Sequence, residues 1–217
     1  MEIIKSAAAE INIDPKQVAV YLGYYSANAD EESKKIINEC IAEFKRCADF
    51  RACFEKVAVS FSGNAVDLGF MRAESRSLAK NLDGCRSAYI FAATAGAGSQ
   101  RFLDRCALLS PLRGIVADCV GSAAIEAFCD KINFSFEKPD FLRPRFSPGY
   151  GDLPLEYQNR IVEFLGTKKN IGMSLTDSLM MVPLKSVTAI IGIGDEKNKC
   201  KGPGCMICSG KNCPYRD

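Results

Sequence analysis

Hydrophobic residues recur every three or four positions in several stretches of the chain, a spacing that predicts amphipathic helices. One helix begins at the Asp14-Pro15 pair, with Asp14 as its N-cap, and stops at Gly23. A longer helix is predicted from Asp30 to about Ala48. Its apolar positions are Ile36, Ile37, Cys40, Ile41, Phe44 and Cys47.

The strongest helical pattern runs from Ser110-Pro111 to about Ile132. Its apolar residues share one face of the predicted helix: Leu112, Ile115, Val116, Cys119, Val120, Ala123 and Ala127. Two shorter helices are predicted over Ser75–Leu82, before an Asp-Gly stop, and over Leu155–Leu165, closed by Gly166.

Other stretches are typical of β-strands. Residues Cys53–Phe61 alternate between apolar and polar, and Val66–Phe70 indicates a second strand. Ser87–Thr94 is apolar and rich in small residues, which predicts a buried central strand. We expect Phe141–Ser147 to be extended because nearby prolines disfavour helix. Val187–Ile193 is the predicted final strand.

The elements mix without a regular βαβ order. This predicts an α+β fold with a mainly antiparallel sheet flanked by helices. At Asp195 the composition changes abruptly to Lys, Gly, Cys and Pro. We therefore expect a globular domain over residues 1–195 and a cysteine-rich tail over residues 196–217.

Charge and apolar run length exclude several classes of partner. The chain has 28 basic and 26 acidic residues, a net charge of +2, so nothing draws the whole protein to nucleic acid or an anionic membrane. Its longest apolar runs are too short for a bilayer, and no secretory signal pattern precedes them. We expect a cytoplasmic protein with neither a nucleic-acid nor a membrane partner.

The chain contains eleven cysteines and no histidine. Without a secretory signal, this count favours free or metal-bound thiols in a reducing compartment. The absence of histidine excludes a Ser–His or Cys–His hydrolase. No set of side chains has the pattern of a catalytic centre, and we assign no catalytic residue.

The segment from Arg145 to Tyr150 reads Arg-Phe-Ser-Pro-Gly-Tyr. Arginine can grip a carboxylate with two parallel hydrogen bonds. Gly149 lets a backbone approach a ligand closely, and Pro148 stiffens the approach. The segment suits an amino-acid-like ligand. From the residues alone, a surface arginine is the commoner interpretation, since most arginines are exposed.

This Arg-x-x-x-Gly-Tyr pattern, followed by the Leu-Thr-Asp-Ser segment at Leu175–Ser178, resembles the activation domain of cobalamin-dependent methionine synthase. The resemblance extends over roughly residues 10–195. Further segments that carry it are Tyr21–Tyr24, Ala92–Gly96 and Val120–Glu126.

The resemblance implies a site for S-adenosylmethionine. Arg145 would hold the methionyl carboxylate, while Gly149 and Tyr150, with Pro148 before them, would line the pocket through main-chain contacts. Glu126 would receive the ligand's ammonium or a neighbouring polar group. An internal salt bridge is an equally open interpretation of Glu126, because a carboxylate in an apolar helix sector needs a partner.

The resemblance also implies a role in reactivation. A stand-alone module would bind S-adenosylmethionine and support reductive methylation of cob(II)alamin on a partner methionine synthase or related corrinoid protein. A low-potential donor would supply the electron. The cobalamin belongs to the partner, since the usual Asp-x-His-x-x-Gly motif needs histidine. The chain would be a component of a methyltransferase system and not a complete enzyme.

Two polar segments have open interpretations. Thr94–Gly98 contains a Gly-x-Gly after a strand but lacks the third glycine of a dinucleotide site, so we interpret it as a tight turn near the pocket. Thr176, Asp177 and Ser178 could cap a helix or contact the ligand, and we rank capping first.

Cys200, Cys205, Cys208 and Cys213 form a Cys-x4-Cys-x2-Cys-x4-Cys tail. Four thiolates suit zinc or an iron–sulfur cluster, and a disordered thiol-rich tail is the third possibility. We favour iron–sulfur because reactivation consumes an electron. Two other functions remain open: an iron–sulfur electron-transfer activase for another corrinoid methyltransferase, and a zinc-stabilised adaptor that binds corrinoid proteins.

The other seven cysteines have no assigned chemistry. Five lie in predicted helices and are interpreted as small buried hydrophobes: Cys40, Cys47, Cys106, Cys119 and Cys129. The sequence does not place Cys53 or Cys85.

Overall fold

A computed structural model describes residues 1–24, 30–136 and 141–194. The helices are α1 Pro15–Tyr21, α2 Glu31–Cys47, α3 Arg76–Asn81, α4 Gly96–Leu109, α5 Pro111–Phe136, α6 Tyr157–Phe164 and α7 Thr167–Asn170. The strands are β1 Glu2–Ser6, β2 Phe50–Ala58, β3 Ser60–Ser62, β4 Ala65–Asp67, β5 Arg72–Glu74, β6 Ser87–Thr94, β7 Phe141–Leu142, β8 Ser174–Leu175, β9 Met181–Val182 and β10 Ser186–Gly194.

Most helix boundaries follow from their caps. The Asp14 carboxylate accepts the Lys16 backbone N–H, and the Asp30 carboxylate accepts the Ser33 backbone N–H. The Ser75 hydroxyl accepts the Leu78 backbone N–H at the start of α3. These side chains satisfy N–H groups that have no partner within the first helical turn. The predictions for α1, α2 and α3 are confirmed to within a residue or two.

The main sheet has five strands in the order β1-β2-β6-β10-β7. All four pairs of neighbours are antiparallel. The predicted α+β class with a mainly antiparallel sheet is therefore confirmed, with Ser87–Thr94 as the central strand. A three-stranded sheet of β3, β4 and β5 and a short β8–β9 hairpin complete the fold.

The three inner strands of the main sheet, β2, β6 and β10, send alternate residues to two cores. On one face Phe54, Phe91 and Ile191 pack with α2, α4 and α5. On the other face Ile90 and Ile190 pack with α3, α6 and the small sheet. This alternation is the period of two that strand geometry imposes, and it makes the sheet the middle layer of the described fold.

The long helix α5 differs from the expected pattern of burial. Leu112 and Ile115 were expected to share a face with Val116 and Val120, and they are instead 56% and 58% exposed. The sequence is apolar almost all round this helix, so the apolar pattern alone does not identify the buried side. The packing of α2 and α4 buries the side that carries Val116 and Val120.

The tight turn predicted over Thr94–Gly98 is wrong, because α4 begins at Gly96 and continues for 14 residues. Gly96 adopts φ +80°, and the Gly98 backbone lies against α2. A Cβ at Gly98 would lie 1.9 Å from the Cys47 carbonyl oxygen. The glycines thus allow close packing of two helices. The antiparallel pairs on both sides of β6 differ from the parallel βαβ unit of a dinucleotide site.

The structure differs from two further predictions. The predicted strand over Cys53–Phe61 is two strands, β2 and β3, separated at Val59. Helix capping by Thr176–Ser178 is wrong, because these residues form the turn between β8 and β9. There the Thr176 hydroxyl accepts the Met180 backbone N–H, which stabilises the turn.

No helix in the described ranges is long and apolar enough to cross a membrane. The boundary predicted at residue 195 and the four-cysteine tail lie outside the described residues.

Candidate functional site

An edge segment of the main sheet positions Arg145. After β7, the backbone stays beside β10: the Arg143 N–H donates to the Gly192 carbonyl, and Phe146 and Ile190 exchange two backbone hydrogen bonds of 3.0 and 2.8 Å. Phe146 points into the core shared with α6. Because successive side chains of an extended segment point to opposite faces, Arg145 points toward α5.

Two carboxylates of α5 hold the Arg145 guanidinium. Its Nη2 donates to Glu126 Oε2 at 2.6 Å, and its Nη1 donates to Asp130 Oδ1 at 2.8 Å. The Arg145 side chain is only 18% exposed, whereas those of Glu126 and Asp130 are 44% and 71% exposed. We call these three residues the clamp. It leaves two acidic groups at the surface beside a mostly covered cation.

Tyr21 and Cys129 border the clamp. Tyr21 ends α1, which packs on α5. Its phenol pKa is raised by burial and then by the negative charge of Glu126. Burial also raises the pKa of the Cys129 thiol, which favours the neutral form. Both groups are therefore uncharged near neutral pH, and the clamp residues carry the charge of this region.

The segment predicted to line the ligand forms a compact turn directly after the edge segment that carries Arg145. The Gly149 N–H donates to the Leu153 carbonyl at 2.8 Å, and the Tyr150 N–H donates to the Ser147 carbonyl at 3.1 Å. Gly149 adopts φ +90°, a conformation that favours glycine. Pro148 is buried, while Tyr150 is 59% exposed. The turn therefore presents the tyrosine at the surface, with its ring 6.1 Å from that of Phe146.

Asp152 fastens this turn to α3. Its carboxylate accepts hydrogen bonds from the Ser75 hydroxyl at 2.5 Å and from the backbone N–H groups of Arg76 and Ser77 at 2.9 and 3.0 Å. The Ser75 hydroxyl, followed by the Ser77 N–H, lowers the pKa of Asp152 well below its ordinary value. The anion also caps the positive end of α3.

A second polar contact links α5 to the start of β10. The Lys185 ammonium donates to Asp118 Oδ1 at 2.7 Å and to Ser122 Oγ at 3.0 Å. Lys185 is buried, and its carbon stem crosses α5 at Gly121, where a Cβ would lie 2.9 Å from Lys185 Cγ and Cε. The missing side chain at Gly121 makes room for the lysine. Sequence reasoning gave no role to any of these residues.

A cavity of about 540 Å³ lies elsewhere, at the ends of α2 and α4. It is lined by Glu43, Arg46, Cys47, Arg105, Leu109 and Arg113. Arg113 and Glu126 are 13 residues apart on α5, which corresponds to about 20 Å along the helix axis. The clamp is a feature of the domain surface and does not belong to this cavity.

The structure brings together Arg145 and Glu126, two of the residues singled out from the sequence, and adds Asp130. Asp130 follows Glu126 by four residues on a predicted helix, which places both carboxylates on one face. That spacing was the signal that could have identified it. Tyr21 gave no such signal, because its proximity depends on how α1 packs against α5.

The described ranges contain no group of three or more Cys, Asp or Glu residues arranged to hold a metal ion. The cysteines proposed to bind metal lie beyond these ranges. Within the described ranges no two cysteines form a disulfide, and Cys53 and Cys85 are buried in the core shared with α3 and α6.

Comparisons with known proteins bear on the family. Residues 136–199 match the sequence profile described as "Vitamin B12 dependent methionine synthase, activation domain". No curated protein matches the chain significantly in sequence. The chain is similar in fold to the crystal structure of the MetH reactivation domain bound to AdoHcy, with a TM-score of 0.65 and 14% identity. That alignment covers 88% of this chain and 77% of the other.

The profile match includes the segment with Arg145, Gly149 and Tyr150. The resemblance inferred from the sequence is confirmed: the chain is similar to the activation domain of vitamin B12-dependent methionine synthase, in sequence over residues 136–199 and in its fold.

Proposed function

We propose that this chain binds S-adenosylmethionine at the clamp and presents its methyl group to a corrinoid held by a partner protein. The observation that supports this most is the position of Arg145. It stands at the arginine of the Arg-x-x-x-Gly-Tyr pattern, within the matched segment, and two acids of α5 orient it. The AdoHcy in the similar MetH structure is the demethylated form of the proposed ligand.

The clamp residues suit the two ends of an amino acid. The guanidinium has five N–H donors, and two of them bond to Glu126 and Asp130. Its other donors can bond a ligand carboxylate with charge-assisted hydrogen bonds. Glu126 can then accept from the ligand's ammonium. Gly149 and Tyr150, after the buried Pro148, would contact the rest of the ligand from the adjacent turn.

The chemistry belongs to the ligand and the partner's corrinoid. One electron from a low-potential donor reduces cob(II)alamin to cob(I)alamin, whose cobalt supplies the electron pair for a new bond to the methyl carbon. The carbon–sulfur bond breaks, its electron pair stays on sulfur, and S-adenosylhomocysteine remains. The domain contributes by holding the methyl group in position, which is an effect of proximity.

Calorimetric titration with S-adenosylmethionine tests the binding. Arg145→Ala should weaken binding by about tenfold to a hundredfold, because a charge-assisted bidentate contact is lost. Arg143→Ala is the matched control, since Arg143 lies on the same segment and donates to the Asp83 carbonyl instead. Equal affinities for Arg145→Ala and wild type would refute the site.

The reactivation step needs a separate assay. A methionine synthase without its own activation domain, loaded with cob(II)alamin, would be mixed with the chain, S-adenosylmethionine and a chemical reductant. We expect the absorption of methylcobalamin to appear only when the wild-type chain is present. Methylcobalamin formation that is independent of the chain would refute the proposed role.

We also propose that Cys200, Cys205, Cys208 and Cys213 bind a metal, as an iron–sulfur cluster or as zinc. Their spacing, with only Met206 and Ile207 as large apolar residues between them, supports a metal-stabilised segment. Iron with acid-labile sulfide and a visible absorption band after anaerobic purification would identify a cluster. Stoichiometric zinc without a visible band would identify a zinc site. Protein that contains neither iron nor zinc would refute the proposal.

A further inference from the structure

The clamp has more negative than positive charge. One guanidinium faces two carboxylates, which leaves a net charge of −1. Neighbouring basic side chains do not restore the balance: Lys131 pairs with Glu10 at 2.6 Å, and Lys185 pairs with Asp118 at 2.7 Å. An arginine that served only to hold a ligand carboxylate would need no second acid.

S-adenosylmethionine carries a net charge of +1, because its sulfonium adds to the balanced carboxylate and ammonium. S-adenosylhomocysteine has a neutral thioether and a net charge of zero. We infer that the clamp selects the cationic ligand over its demethylated product, and that Asp130 is the specificity-determining residue. This inference rests on the proposed function and adds the basis of its selectivity.

The length of the ligand is compatible with a contact between its sulfonium and the charge of Asp130. In the ligand, the sulfur lies three carbon atoms beyond the carboxyl carbon, a span of roughly 5 Å by covalent geometry. With the ligand carboxylate on Arg145, a ligand that folds back over the clamp would bring its sulfonium within about one Debye length, near 8 Å, of both acids. Asp130 is the more exposed of the two, so its charge lies at the rim of the clamp.

The inference also concerns product release. Loss of the methyl group removes the charge that Asp130 and Glu126 attract, so the product is held less tightly than the substrate. A tenfold difference in affinity is the rough size expected for one unit charge at this distance in a partly solvated site.

The experiment compares three ligands by calorimetry: S-adenosylmethionine, S-adenosylhomocysteine and sinefungin, whose protonated amine replaces the methylated sulfur. Wild type should bind both cationic ligands roughly tenfold tighter than S-adenosylhomocysteine. Asp130→Asn should reduce this preference to about twofold or less, whatever its effect on the affinity for S-adenosylhomocysteine itself. Asp104→Asn is the matched control, because Asp104 is an exposed acid on α4 that accepts from Gln100.

The outcomes separate this inference from the proposed function. Equal affinities for the three ligands in wild type, or an unchanged preference in Asp130→Asn, would overturn the inference and leave the proposed function intact. If none of the three binds to wild type, both fail. The wild-type comparison does not depend on how well any variant folds. Raising the salt concentration should reduce the preference, as expected for a charge effect.

Discussion

The carbon stem of Lys185 lies directly over Gly121, so that the start of β10 is held against the middle of α5. A glycine inside a 26-residue helix weakens that helix by about 1 kcal/mol relative to alanine. Here it makes room for a buried lysine, whose ammonium reaches Asp118 and Ser122.

The first prediction concerns this contact. Gly121→Ala should lower the free energy of unfolding by about 1–2 kcal/mol, because its Cβ meets the lysine stem at 2.9 Å. In a Lys185→Ala background the same change should be neutral or stabilising, since the stem is absent. Urea unfolding of the four proteins gives the coupling energy. A coupling near zero would show that the two residues do not interact.

The second prediction concerns the contact between α4 and α2. Gly98→Ala should destabilise the fold by about 3 kcal/mol or more, because the new Cβ would lie 1.9 Å from a backbone oxygen that cannot rotate away. Gly63→Ala is the control: its φ is +62° but its surroundings are open, so only backbone strain of about 1 kcal/mol is expected. Similar melting temperatures for the two variants would contradict the close packing.

The third prediction concerns pH. The pKa of Asp152 is lowered in the fold, chiefly by the Ser75 hydroxyl, so its ionised form stabilises the native state. This contribution is fully present above the ordinary carboxyl pKa of about 3.9 and is lost as the pH falls toward the lower native value. Asp152→Asn should therefore reduce the melting temperature at pH 7 and approach wild type in acid. Parallel melting curves across pH 7 to 3 would rule this out.

The fourth prediction concerns thiol reactivity. Burial raises the pKa of Cys53 to about 12, so almost no thiolate exists at pH 8. Iodoacetamide should modify Cys53 and the buried Cys129 only after denaturation, whereas Cys47, which lines the cavity, should react in the native protein. Peptide mapping by mass spectrometry distinguishes them. Native modification of Cys53 at the rate of Cys47 would show that the core opens readily.

Local signals predicted much of this fold. The Asp14 cap predicted α1, apolar spacing predicted α2, and the apolar run Ser87–Thr94 predicted the central strand. The sequence placed Cys106 in a helical segment but did not predict the start of α4, because its first four residues, Gly-Ala-Gly-Ser, resemble a turn. Its helical state depends on packing against α2 and α5, which is tertiary information.

The candidate site also combines residues that local sequence signals identify with features that only tertiary packing decides. A motif identified Arg145 and its neighbours, and helical spacing could have identified Asp130. The exposure of Leu112 and Ile115 could not be inferred, because α5 is apolar on nearly every side and only the positions of its neighbours decide which side is covered.

Two adjacent residues of the edge segment point to opposite faces of the sheet. Phe146 is buried among the residues that pack with α6, and Arg145 contacts α5. The buried aromatic ring fixes the backbone on one face of the sheet, and the two carboxylates of α5 hold the guanidinium on the other. The receptor is consequently preorganised, since little main-chain entropy remains to be lost when a small molecule arrives. Crystals grown without the nucleoside should therefore tolerate soaking, with the lattice intact and only side chains at the rim adjusting.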